Sequence, residues 1–187
     1  ETDLARDFTV KVDVQGLQPG TTYYYRFVGA SEQSPVGRTR TLPEVGVEQL
    51  KIAVFSCSNY PAGYFNAYQL AADGDDWDAV LHLGDYIYEY GAGGYATENS
   101  AEIGRALPED NSGELLTLTD YRKRYALYRT DAGLQALHGT APFIVVWDDH
   151  EVTNDTWKAG AENHSADEGD FFARRVAAVQ AYYEWLP

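Results

Sequence analysis

Cys57, Asp85, Tyr88, Asp149, His150 and Asn154 are the residues of this chain whose types suit chemistry, and each follows a short apolar run. The first run, Lys51 to Phe55, leads into Ser56-Cys57-Ser58-Asn59-Tyr60. The second, Trp77 to Leu83, leads into Gly84-Asp85-Tyr86-Ile87-Tyr88-Glu89-Tyr90-Gly91. The third, Phe143 to Trp147 after Pro142, leads into Asp148-Asp149-His150-Glu151-Val152-Thr153-Asn154-Asp155. Thiol, carboxylate, phenol and imidazole are donor types that proteins offer to metal ions. Each has a plainer use when it stands alone. A buried cysteine is a small apolar filler, Gly-Asp is a turn, and an acid after a strand caps the next helix. Three apolar runs that all end in such groups point to a metal site.

The elements must then bring those ends together. Lys51–Phe55 reads as a buried strand, a helix follows over about Tyr64–Ala72, and Trp77–Leu83 is the second strand. Strand, helix and strand within ~30 residues form a βαβ unit, so the strands run parallel with a right-handed crossover. Their carboxyl ends share one edge, where open α/β sheets bind ligands, and Gly84 lets backbone approach closely there. Helices are expected at Thr119–Tyr128, capped by Thr119 or Asp120, and at Asp131–His138. Another is expected at Asp170–Trp185, with Phe171, Val176, Val179 and Tyr183 facing inward. On the first helix Phe65, Tyr68 and Leu70 are the packing candidates. Tyr90 to Glu114 is pattern-free and rich in glycine and charge, which suits a functional loop beside a site.

Ahead of this lies a different pattern. Phe8–Val14 alternates apolar and polar residues, as a half-buried strand does. The spacing of Leu17, Pro19, Thr21 and Tyr23 resembles the tyrosine corner of fibronectin III-like β-sandwiches, where a tyrosine hydroxyl ties down the turn before a strand. A further strand is expected over Val36–Thr41. Residues 1–43 therefore read as the closing part of a sandwich, 44–50 as a linker, and 51–187 as an α/β unit. The chain starts at Glu1 without a methionine and stops at Pro187 after a helix, so both units are expected to be truncated.

Composition narrows the function. A formal net charge of -15 over 187 residues argues against a sequence-independent nucleic-acid surface, which must be basic. A phosphate-bearing substrate stays compatible if bound cations reverse the local field. One cysteine excludes an internal disulfide, and no apolar run reaches the ~20 residues of a membrane span.

Ser-Cys-Ser-Asn-Tyr, Leu-Gly-Asp-Tyr-Ile-Tyr-Glu-Tyr-Gly and Trp-Asp-Asp-His-Glu-Val-Thr-Asn-Asp together resemble the motifs of the PhoD-type alkaline phosphatases, within the calcineurin-like metallophosphoesterase superfamily. Leu118–Arg122, Gln180–Glu184 and Pro35–Thr39 extend the resemblance over nearly the whole chain. It implies an α/β metallophosphoesterase-type core behind a small β-sandwich. It also implies metal-dependent hydrolysis of phosphate esters, by hydroxide generated from metal-bound water.

Residue by residue, the resemblance assigns Asp85 as the bridging ligand of two metal ions. Tyr88 as tyrosinate and Cys57 as thiolate fall to Fe3+, Asp149 to Ca2+, and Asn154 to a ligand position. His150 becomes the general acid or charge stabiliser near the leaving group. Asp155 departs from the family's usual asparagine. Further metal motifs of the family would lie past Pro187, so weak metal binding and little activity are expected of the chain alone. The resemblance also implies a secreted, periplasmic or cell-wall-associated protein. The runner-up is a phosphodiesterase acting on phospholipids through the same site, and a third reading is a non-catalytic binding module.

Overall fold

The computed structural model describes residues 2–29, 31–74 and 76–187. Strands β1 (Thr22–Tyr25) and β2 (Gly37–Arg40) form an antiparallel pair. The Tyr23 hydroxyl accepts the Gln18 backbone N–H at 2.8 Å, which is the tie that the Leu17–Tyr23 spacing predicts.

Beyond them, β3 (Ile52–Phe55), β4 (Ala79–His82) and β5 (Phe143–Val145) make a parallel sheet in that order. Val54, Leu81 and Ile144 form one row across the sheet, and Phe55, His82 and Val145 the next. Alternation along each strand therefore sorts residues onto two faces. Ala53, Phe55, Val80, Phe143 and Val145 face a core built with Tyr68, Tyr121, Tyr125, Leu134, Leu137, Ala178, Ala181 and Tyr182. The opposite face is bare, with Val54 55% and Ile144 57% exposed.

Four helices supply that core: α1 (Asn66–Ala72), α2 (Leu118–Tyr128), α3 (Ala132–Thr140) and α4 (Phe171–Trp185). Thr117, not Thr119 or Asp120, caps α2. Its hydroxyl accepts from Asp120 N while Asp120 Oδ2 accepts from Thr117 N, so Asp120 is the far side of a capping box. Asp131 and Asp170 cap α3 and α4.

Three packing expectations fail. Phe8 sits in a turn at φ 55, Thr9–Val14 pairs with no strand among the described residues, and Val10, Val12 and Val14 are exposed. Alternation needs a neighbouring ladder to become a strand, and this segment is held instead by Lys11 Nζ on the Leu186 carbonyl. On α1, Leu70 is 75% exposed, because the buried Tyr68 shares its face with Ala71 and Ala72. On α4 the buried face is Phe171, Arg174, Ala178, Ala181 and Tyr182. Val176 lies about 140° round the helix from Phe171, and both Val176 and Tyr183 are exposed, with Val179 between the two faces.

Candidate metal centre

Parallel pairing carries the three strand ends to one edge, and the backbone then binds the loops to one another. Cys57 N donates to Gly84 O and Ser58 N donates to Asp85 O. Gly84 has φ +104, and a Cβ there would collide with the Asp148 backbone, so only glycine permits this approach of the loops after β4 and β5. Cys57 and Asp85 are themselves left-handed, at φ 59 and 54. Non-glycine residues hold that conformation only where their surroundings over-determine it, and such residues cluster at functional sites.

Asp85 is the centre of the arrangement. Its Oδ2 lies 3.4 Å from Cys57 Sγ and accepts from Tyr88 Oη at 3.3 Å. Its Oδ1 is buried with no hydrogen-bond partner. One donor atom each from Asp85, Asp149 and His150 lies within 4.8 Å of the others, close enough to share an ion. Asn154 is held nearby by other bonds. Its Nδ2 donates to Glu162 Oε2 at 2.9 Å, and its backbone N–H goes to Glu89.

His150 is oriented from behind. Its Nδ1 lies 2.7 Å from Glu89 Oε2, and its ring stacks on Tyr88 with centroids 4.2 Å apart. With Nδ1 engaged, Nε2 is the nitrogen left for a ligand or a proton. Glu89 is fully buried, and its Oε1 accepts from Thr153 Oγ1, Asn154 N and Asn163 Nδ2. Burial opposes its charge, but these bonds together hold the carboxyl below the ordinary range. Burial is also the largest single influence on His150 and opposes its charge, yet the bond to Glu89 and the charges of Glu89, Asp85 and Asp149 together outweigh it and the imidazole is raised.

Burial pushes the Asp85 carboxyl up, with His150 and Cys57 pulling it partly back. Burial, then the Asp85 charge, raises the Tyr88 phenol. These shifts describe a carboxyl and a phenol that resist ionisation by themselves, and a bound cation would drive it. The buried, unpartnered Asp85 Oδ1 among a thiol, a phenol, a second carboxylate and an imidazole fits a bound metal ion.

Glu89, Glu151 and Arg124 are residues around the site that sequence reasoning passed over. The two acids lie inside the motifs quoted above, whereas Arg124 was signalled by spacing. With Tyr121, Tyr125 and Tyr128 it forms the buried i, i+3, i+4, i+7 face of α2. Its guanidinium donates to the carbonyls of Tyr88, Tyr90, Asn111 and Gly113 and to Asn111 Oδ1. Tyr88 N meanwhile donates to the Tyr128 hydroxyl. The irregular loop after Tyr90 is thus tied to α2 beside the site. At its other side Arg105 pairs with Asp131 and stacks on Tyr60, 3.6 Å from the ring centroid. A cleft of about 410 Å³ opens beside Cys57 and Tyr88, walled by Tyr64, Phe65 and Tyr95.

A mixed α/β fold whose parallel three-stranded sheet gathers possible metal-ligand side chains just past its strand ends defines the class. Comparison with known proteins gives the family. A profile described as PhoD-like phosphatase matches residues 52–187, and one described as its N-terminal domain matches 1–43. The chain belongs to the PhoD-like phosphatase family. Alkaline phosphatase D of Bacillus subtilis (strain 168) is 46% identical over 181 residues, covering 96% of this chain and 30% of the relative. A solved structure of PhoD superposes with a TM-score of 0.80 at 45% identity, covering 92% of this chain and 32% of that one. The chain therefore spans about a third of the length of the proteins it matches.

Proposed function

We propose that this chain supplies part of the centre of a metal-dependent phosphoester hydrolase, an alkaline phosphatase of the PhoD type. The observation that carries the proposal is Asp85: its Oδ2 meets Cys57 Sγ and Tyr88 Oη, one of its oxygens lies within 4.8 Å of donor atoms of Asp149 and His150, and its Oδ1 is buried without a partner. Cys57, Asp85 and Tyr88 would hold Fe3+, which suits a thiolate and tyrosinate set. Asp85 and Asp149 would serve Ca2+, which favours hard oxygen donors. Asn154 would offer its Oδ1, since its Nδ2 is the atom that engages Glu162.

When bound, the metal ions supply a water of lowered pKa and charge stabilisation for the phosphoryl oxygens. The chain's own residues do the rest. Glu89 fixes the His150 ring, and His150 Nε2 is placed to give a proton to the departing alcohol oxygen. Tyr88 stacking keeps the imidazole from rotating, and the aromatic-walled cleft leaves room for the organic part of the ester.

The domain division 1–43, 44–50 and 51–187 is part of the proposal, supported by the two profile boundaries. The Tyr23–Gln18 tie supports a fibronectin III-like origin for the first unit. A secreted, periplasmic or cell-wall setting follows from the family resemblance. Among the described residues no helix is long and apolar enough to cross a membrane.

The test is metal content and a visible spectrum, taken on a protein that carries this chain at the relative's full length. Wild type is expected to hold iron with a phenolate charge-transfer band that Tyr88→Phe abolishes. Well-folded protein without iron or band would overturn the assignment of Cys57 and Tyr88. Rates on p-nitrophenyl phosphate and bis-p-nitrophenyl phosphate then place the protein as a monoesterase or a diesterase.

A further inference from the structure

Glu151 follows His150 directly but turns away from the donor group, and at 1% exposure it is sealed beneath it. Its Oε2 accepts the backbone N–H of Asp85 at 3.1 Å and of Asp148 at 2.8 Å, and its Oε1 accepts that of Tyr86 at 2.5 Å. We propose that Glu151 is a positioning residue of the metal centre. Its buried carboxylate clamps the loop after β4 to the loop after β5 and so sets the spacing of Asp85 from Asp149 and His150. The inference rests on the metal-centre reading above.

Three observations carry it. First, both carboxylate oxygens are occupied by amides, so Glu151 has no oxygen to spare for an ion and acts through the backbone alone. Second, one of its partners is the amide of Asp85, a residue held at φ 54, where a non-glycine backbone needs outside restraint. Third, the loops it joins meet where a Cβ on Gly84 would strike Asp148, so their approach is tight enough for a small slip to move the donors. A carboxylate is the side chain that suits three inward N–H groups, because it accepts at both oxygens and donates at neither. A glutamine would lose at least one bond and aim its own N–H groups at a backbone donor.

The experiment compares wild type, Glu151→Gln and Leu134→Ala, each carried at the relative's full length. Ca2+ is titrated into the iron-loaded protein, and hydrogen exchange is followed on the metal-free protein. Leu134 is buried on α3 away from the site and controls for a general loss of stability. Glu151→Gln is expected to weaken Ca2+ binding tenfold or more, in line with the ~10–100-fold cost of losing groups that support metal ligands. Leu134→Ala should lower the melting midpoint and leave the affinity unchanged. Equal Ca2+ affinity in wild type and Glu151→Gln overturns the role of Glu151 alone. Wild type that binds neither iron nor Ca2+ overturns the metal centre itself, and this inference with it. Exchange in wild type stands apart from any variant's ability to fold. The amides of Asp85, Tyr86 and Asp148 should be protected before metal is added, and free exchange there overturns the clamp.

Discussion

His82 should make the protein acid-sensitive well above the range in which carboxylates protonate. It is fully buried at the end of β4, and burial pushes its imidazole down to about 4 from an ordinary 6.5. The geometry agrees. Nδ1 accepts the Gly84 N–H at 3.4 Å, while Nε2 lies 3.1 Å from Ser58 Oγ and 2.9 Å from Tyr68 Oη. A second proton on Nδ1 would face the Gly84 donor. The other ring neighbours are Tyr86 and Tyr68, and no carboxylate faces the imidazole among these contacts. Because the folded pKa lies below the unfolded one, the stabilisation is complete above about 6.5 and is lost as pH falls toward 4. Linkage over pH 7.5 to 5.0 gives about 2 kcal/mol from this group. The assay is urea unfolding of wild type and His82→Gln at both pH values. Taking the difference between the two proteins cancels every other titrating group. Wild type should lose about 2 kcal/mol more than the variant across that interval. Parallel losses within about 0.5 kcal/mol would refute the burial of a neutral His82.

Gly84→Ala should cost about 3 kcal/mol or more, since it combines a positive φ with a collision against backbone that has nowhere to move. It should also abolish metal retention in folded protein, and normal stability by urea unfolding would count against the close approach of the loops. Arg124→Met replaces five hydrogen bonds from a fully buried cation by a chain that can make none. A loss of about 3 kcal/mol is expected, together with faster proteolysis between Gly91 and Gly113. Unchanged cleavage would show that the loop is held by something else.

The sheet was legible because its evidence is local. Two apolar runs, the second ending at Gly84, lie at βαβ spacing and so run parallel with their carboxyl ends on one edge, and the third, after Pro142, pairs parallel beside them. That edge is what made Cys57, Asp85, Tyr88, Asp149 and His150 neighbours, and the structure brings those five together. The strand expected at Phe8–Val14 shows the opposite case. Its alternation is as clear as any in the chain, but a strand exists only where a second one offers a ladder, and pattern cannot supply the partner. Helix α4 fails for another reason. Phe171, Phe172, Val176, Val179, Tyr182, Tyr183 and Trp185 surround it, so several apolar faces compete and only packing chooses Tyr182 over Tyr183.

The acids of the site divide along the same physical line. Asp85 and Asp149 were recognisable as candidate ligands because each follows an apolar strand run, and chain position reports that. Glu89 and Glu151 serve by burial, and residue type argues against burial for glutamate. What reverses the odds is a set of N–H donors gathered from distant segments: Asn154 and Asn163 for Glu89, and Asp85, Tyr86 and Asp148 for Glu151. Each donor is ordinary in sequence and becomes informative only when the loops have closed. The site thus has two kinds of carboxylate: Asp85 and Asp149 at the strand ends, with donor atoms close enough to share an ion, and the sealed Glu89 and Glu151, whose oxygens are taken by protein N–H and O–H groups. Exchanging one kind for the other should destroy the site even though the net charge stays the same.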